Sequence, residues 1–201
     1  MLAFSATLNT QADEQGIASA TAGSYALGRR PNELFSFDTL RLFGDDIKYT
    51  FTSPARWDDS DWLEAGLLTA SVAGTSVFDH GIKTAVQKNR THGLDTFSKD
   101  FQRLGAEGSF VILGGFEAWH LADGNKQAGA VVIDGLSSSL IAAGIITPIL
   151  KYSIGRARPN ETDEAYRFRP FSGKDSFPSG HATQAFAVAS VIAADYPEEG
   201  W

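Results

Sequence analysis

Pro178, Ser179, Gly180 and His181 stand together where a polar, proline-bearing stretch gives way to a small-residue helical pattern. A helix start exposes backbone N–H groups that lack partners and carries a partial positive charge. It is therefore an anion site, best suited to phosphate. Gly180 has no Cβ, so an oxyanion can come close to its backbone. The Ser179 hydroxyl can donate a further hydrogen bond. His181 can carry a proton near neutral pH and pass it to a departing oxygen. On this reading the joint is a phosphate cradle with a proton donor built into it. A duller reading stands beside it, because Ser is a common N-cap, Gly a common turn residue, and a lone His often only caps or packs.

A second piece, "KYSIGRARP", runs from Lys151 to Pro159. Lys151 and Arg158 are seven positions apart, nearly two helical turns, which puts both on one side at a separation of ~10.5 Å along the axis. Pro159 disfavours helix at Arg158, so the helix is expected to end about there. Two long cationic side chains could then converge on one anion, Arg with a planar fork and Lys with a point charge. The plainer reading is a cationic helix end that complements the dipole, and Arg156 is expected to do only that.

These pieces need helices to hold them. Residues 1 to about 30 are rich in Ala, Ser, Thr and Gly and read as an irregular extension. They hold no basic residue before Arg29, so they do not read as a secretory signal. Order is expected from near "PNELFSFDTLRLFGDDIKYTF", with a break at Ser53-Pro54. Asp61 and Glu64 suggest a capping box opening a long apolar helix to about Val77. Phe97, Phe101 and Leu104 follow helical spacing, with Gly105 as the stop. "EGSFVILGGFEAWHLA" reads as a further buried helix, closed by Asp123-Gly124-Asn125. Gln127 to Tyr152 is the longest apolar segment, and Pro148 should kink it or begin its last section. A loop is expected from Arg158 to Pro178. A last helix should follow from about His181 to Asp195, with Ala182, Ala185, Phe186 and Ala189 on one face. No strand alternation persists, so the fold class is all-α, a helical bundle. Gly129 to Leu150 is just long enough to cross a membrane. Its Asp134 and its three serines, Ser137 to Ser139, would be costly in lipid unless they faced the bundle interior.

Composition narrows the functions. Lys and Arg number 17 against 24 Asp and Glu, a net charge of −7. That opposes nucleic-acid binding, which needs a positive footprint. The absence of cysteine excludes disulfides and thiolate chemistry. No residue pattern fixes an oligomeric state.

Lys151, Arg158 and Pro159, followed by Pro178, Ser179, Gly180 and His181, resemble the first two signature motifs of the type 2 phosphatidic acid phosphatase superfamily. That superfamily includes bacterial acid phosphatases, lipid phosphate phosphatases and vanadium-dependent haloperoxidases. A looser similarity reaches back to about "SPARWDDSDW". The resemblance implies that Lys151, Arg158, Ser179 and Gly180 bind the phosphate and that His181 is the catalytic general acid. It implies no metal and no cofactor for a phosphatase, and vanadate only for a haloperoxidase. Its substrates would be phosphate esters or lipid phosphates, its place the bacterial cell envelope, in the periplasm or at the membrane.

The family's third motif, S-R-x5-H-x3-D, has no counterpart here. Its histidine is the nucleophile that becomes phosphorylated. His80, His92 and His120 lack the motif's neighbours and are expected to be structural or surface residues. The expected organisation is therefore an extension over 1–30 and a phosphatase-like domain over 31–201 that lacks its last helix or helices, with the nucleophile beyond Trp201. The function expected is a metal-independent phosphatase working through a phosphohistidine. The alternatives are a haloperoxidase and a phosphate-binding bundle without turnover.

Overall fold

The computed structural model describes residues 34–158, 167–173 and 176–197. The expected extension over 1–30, and Pro159, lie outside them. Seven α-helices carry the described chain: α1 (Phe37–Thr52), α2 (Asp59–Ser76), α3 (Asp79–Lys88), α4 (His92–Asp123), α5 (Lys126–Ser139), α6 (Thr147–Ile154) and α7 (Gly180–Asp195). A short 3-10 turn, Ser53–Arg56, follows α1 at the expected break. Among the described residues there is no strand, only an isolated antiparallel bridge between Arg156 and Phe168. The fold is an all-α bundle.

Helix α5 runs into α6 through a π-helical stretch, Leu140–Ile146, in which the Thr147 N–H reaches back five residues to the Ala142 carbonyl. The cause is local. Pro148 has no N–H to give, and its ring would strike the carbonyl four residues earlier. The chain widens ahead of it and resumes α-helix with Pro148 in the first turn. The united segment, Lys126–Ile154, is long and apolar enough to cross a membrane.

The core forms where α4, α5 and α7 meet. Leu113, Val131 and Val188 are buried at its centre, with Phe116, Leu136, Val191, Ile192 and Tyr196 packed around them. Burying each of these large side chains stabilises the fold by about 1.5–3 kcal/mol before conformational entropy is counted. Close approach of α4 to α5 depends on small residues, since a Cβ on Gly135 would lie 2.6 Å from Leu113. Helix α4 ends at Gly124, in the left-handed conformation expected of a stop there. The His120 ring bonds the Asn125 carbonyl at 2.8 Å across that turn. Helix α1 is tied to α5 by Ser137, which donates to Asp46 at 2.5 Å.

Four sequence expectations need correction. The capping box of α2 is formed by Asp58 and Asp61, not by Asp61 and Glu64, and the helix starts that much earlier. Gly105 does not stop a helix, for α4 runs through it from His92 to Asp123. A Cβ there would sit 3.0 Å from the His181 carbonyl oxygen, so Gly105 lets two helices approach. The segment after it is buried on one stripe only, at Ser109 and Leu113, while Val111 and Leu121 face outward. In α7 the buried face carries Gln184, Ala187 and Val188, and Phe186 on the expected face is 74% exposed.

Helices α2 and α3 have no buried residue, and Leu63, Leu67, Leu68, Val72 and Ile82 all face outward. One tie to the rest is the pair of Asp79, at the start of α3, with Arg156 at 2.5 Å. Arg156 thus does more than complement a helix dipole.

Asp46 gives a test of the α1–α5 junction. Burial pushes its carboxyl above the usual range, and the Ser137 hydrogen bond pulls it partly back. The folded protein therefore keeps this proton to a higher pH than the unfolded chain does. The stability this group contributes is fully present below the unfolded pKa and is lost as pH rises through the folded one. Asp46→Asn can still accept from Ser137 but has no charge to desolvate. Its melting temperature relative to the parent should rise between about pH 4 and about pH 7. A constant difference across that range would contradict the assignment.

Candidate active site

Ser179 is the N-cap of α7, and its hydroxyl oxygen accepts from the Ala182 N–H at 3.3 Å. Capping uses the oxygen's lone pair and leaves the O–H to donate outward. The capping and phosphate-binding readings are therefore compatible at one residue. Gly180 begins the helix, and a Cβ on it would meet nothing closer than Thr147 Cγ2 at 4.0 Å. Protein packing does not call for glycine at this place, and the missing side chain leaves its backbone open to close approach. Thr147 Oγ1 donates to Thr183 Oγ1 at 3.1 Å, which fastens α6 to the first turn of α7.

Lys151 lies in the last turn of α6, which ends at Ile154 with Gly155 in the left-handed conformation. The expectation that Lys151 and Arg158 share one helix face is therefore corrected. The helix stops earlier, and Arg158 comes from the loop beyond it. That loop is pinned on two sides. The Arg169 N–H donates to the Gly155 carbonyl at 2.8 Å, and the Ala157 N–H to the Arg167 carbonyl at 3.0 Å. From the other side the Ser176 hydroxyl reaches the Arg156 and Ala157 carbonyls, each at 2.9 Å. The Arg156–Asp79 pair holds the same loop by a side chain. The backbone just before Arg158 is thus set by three separate segments.

Lys151, Arg158, Ser179, Gly180 and His181 all line one open cleft of about 630 Å³. Two of its described lining residues are cations and none is a carboxylate. Ala106 and Phe110 from α4, with Ala143 from the π stretch, add an apolar wall. An anion in this cleft would meet a helix N-terminus, a hydroxyl and two cationic side chains, an arrangement suited to a tetrahedral oxyanion. His181 would stand beside it as a proton source. His80, His92 and His120 do not line the cleft.

Three polar lining residues were not foreseen from the sequence: Gln102, Ser176 and Gln184. Gln184 is 5% exposed and donates to Ser139 Oγ at 2.8 Å, joining α7 to α5. It follows Gly180 by four residues, one helical turn, and that spacing is the one signal that could have placed it beneath the cradle. Gln102 lies beside the His181 ring from a helix 79 residues away. Nothing local in the sequence pairs them.

Residues 135–199, the segment that carries both motifs, match the family model described as the PAP2 superfamily. Two curated relatives align with this chain. A lipid A 1-phosphatase of Rhizobium etli is 37% identical over 67 residues, 31% of this chain and 29% of that protein. A lipid A 1-phosphatase of Rhizobium johnstonii is 38% identical over 64 residues, 29% of this chain and 26% of that protein. The chain therefore spans well under a third of the length of either relative. No solved structure matches it.

Proposed function

We propose that the chain belongs to a phosphatase of lipid phosphates, acting at the bacterial cell envelope. The observation that carries this reading is the single cleft where Lys151, Arg158, Ser179, Gly180 and His181 meet beside the apolar wall of Ala106, Phe110 and Ala143. A phosphate ester of an amphiphile has the matching two-part character. The two relatives, both lipid A 1-phosphatases, support a lipid-linked substrate. The apolar Lys126–Ile154 segment supports a place at or in a membrane.

In this reading Lys151 and Arg158 bind the phosphoryl oxygens and stabilise the charge that builds on them in the transition state. The Ser179 hydroxyl and the backbone at Gly180 complete the cradle. In the phosphohistidine route that the resemblance implies, a histidine nucleophile attacks phosphorus and forms a P–N bond. The P–O bond to the alcohol breaks, its electron pair stays on the leaving oxygen, and that oxygen takes a proton from His181. Water then cleaves the P–N bond and regenerates the nucleophile. The cradle supplies its positive charge from side chains and a helix end, so the reaction needs no metal.

The protein from its complete reading frame should release phosphate from a lipid phosphate in detergent micelles, in EDTA as well as without it. Acid labile, alkali-stable phosphoprotein should accumulate on rapid quenching. Lys151→Ala and Arg158→Ala should each lower kcat/KM by about 10²-fold or more. No turnover, with inorganic phosphate still bound in a Lys151-dependent way, would leave a phosphate-binding bundle and no phosphatase.

A further inference from the structure

We infer that Gln102 is the positioning residue for His181, holding the imidazole by Nδ1 so that Nε2 is the nitrogen that exchanges the proton. The inference rests on the general-acid reading of His181. The Gln102 side-chain amide lies 3.3 Å from His181 Nδ1, and both residues line the cleft. They are also brought together by design of the backbone. Gly105, one turn along α4 from Gln102, packs against His181, and a Cβ there would lie 3.0 Å from the His181 carbonyl oxygen. A larger residue at that place would push Gln102 away from the ring.

The choice of an amide has a chemical consequence. When the ring is neutral with its proton on Nε2, Nδ1 is an acceptor, and the amide N–H can donate to it. When the ring is charged, Nδ1–H is a donor, and the same amide turned over accepts with its oxygen. After Nε2 gives up its proton to a leaving oxygen, the remaining proton sits on Nδ1 and keeps that bond. Gln102 therefore suits every protonation state the ring passes through. A carboxylate in its place would favour the charged ring and hinder proton release. The other charged side chains that line the cleft with His181 are Lys151 from α6 and Arg158 from the loop after it. The residues of α4 and α7 that line the cleft beside it, Gln102, Ala106, Phe110, Gly180 and Gln184, carry no charge.

Two variants test this. Gln102→Glu keeps the shape and adds a charge, and Gln102→Leu keeps the bulk and removes the hydrogen bond. In nitrogen-15 NMR of the 201-residue chain, Gln102→Glu should raise the His181 titration midpoint by about one unit. Gln102→Leu should shift the Nδ1 resonance as its hydrogen bond is lost. Neither reading needs turnover, so a protein from the complete reading frame that hydrolyses nothing would sink the phosphatase proposal and leave this contact decided. If the Leu variant fails to fold, the near-isosteric Glu variant still reads the contact at this exposed position. A midpoint that stays put in Gln102→Glu overturns the inference. In the protein from the complete reading frame, Gln102→Leu should lower kcat for an alkyl phosphate about tenfold with KM unchanged. Gln102→Glu should move the falling limb of the pH profile upward. An alkyl kcat equal to the parent's in Gln102→Leu would also overturn it.

Discussion

Gly155→Ala is expected to unfasten the loop that carries Arg158 and to abolish phosphate binding while leaving the helical core folded. Gly155 closes α6 in the left-handed conformation at φ 60°, which costs an alanine about 1–2 kcal/mol. The larger problem is space. A Cβ there would lie 1.9 Å from the Arg169 carbonyl oxygen and 2.4 Å from its carbon. No side-chain adjustment relieves a clash with backbone. The strand-like pairing of Gly155 and Ala157 with Arg167 and Arg169 has to open. Each backbone hydrogen bond lost removes about 0.5–1.5 kcal/mol. Together these effects come to about 2–5 kcal/mol, a fall in Tm of roughly 4–20 °C for a chain of this size. Calorimetry would read the stability and titration with inorganic phosphate the binding. Phosphate affinity equal to the parent's would mean that Arg158 does not depend on this loop. The core of Leu113, Val131 and Val188 lies elsewhere in the bundle, so the far-ultraviolet helical signal should persist.

His181→Ala should separate substrates by their leaving groups. A general acid matters most for a poor leaving group, because a good one departs without a proton. In the protein from the complete reading frame, the variant should slow hydrolysis of an alkyl phosphate by ~10²–10⁴-fold. Hydrolysis of p-nitrophenyl phosphate should fall far less. Lys151→Ala and Arg158→Ala should harm both substrates alike, since they hold the phosphoryl group common to the two. Equal losses for His181→Ala on both substrates would make it a phosphate-positioning residue that donates no proton. The comparison is internal to one variant, so a general loss of stability cannot imitate it.

The parts of this molecule that could be read in the sequence are those whose cause is local. Gly124 is an example, since a helix end that needs a positive φ selects glycine at that one place. Ser179 is another, because the N-cap and the helix start it serves are adjacent in the chain. Pro148 signalled a disturbance in the apolar segment, although not its form as a π-helical stretch. What escaped was set by distant partners. Gly105 looks like a stop when only its neighbours are considered, and its true reason is a carbonyl on His181. Asp79 and Arg156 meet across 77 residues, and Gln102 and His181 across 79. The apolar face of α7 was misjudged for a related reason. Alanines stand on more than one side of that helix, so spacing alone could not say which side turns inward, and the core chose Val188 over Phe186.

The π-helical stretch ahead of Lys151 has a consequence for how this chain tolerates change. A helix is a counter as well as a rod, and each residue advances its angular phase by about 100°. From Lys126 to Ile154 the backbone is continuous, and Leu140–Ile146 is where the phase departs from that of a regular α-helix. The direction in which Lys151 points is therefore encoded by how many residues lie between α5 and α6, and hardly at all by which apolar residues they are. Exchanging one of these aliphatic side chains for another alters packing and leaves the lysine aimed at the cleft. Removing a single residue would let the wide turn relax to an ordinary one and leave the lysine near its place, whereas removing a second would swing the ammonium about a quarter of a turn away, with every cleft-lining side chain still present in the chain.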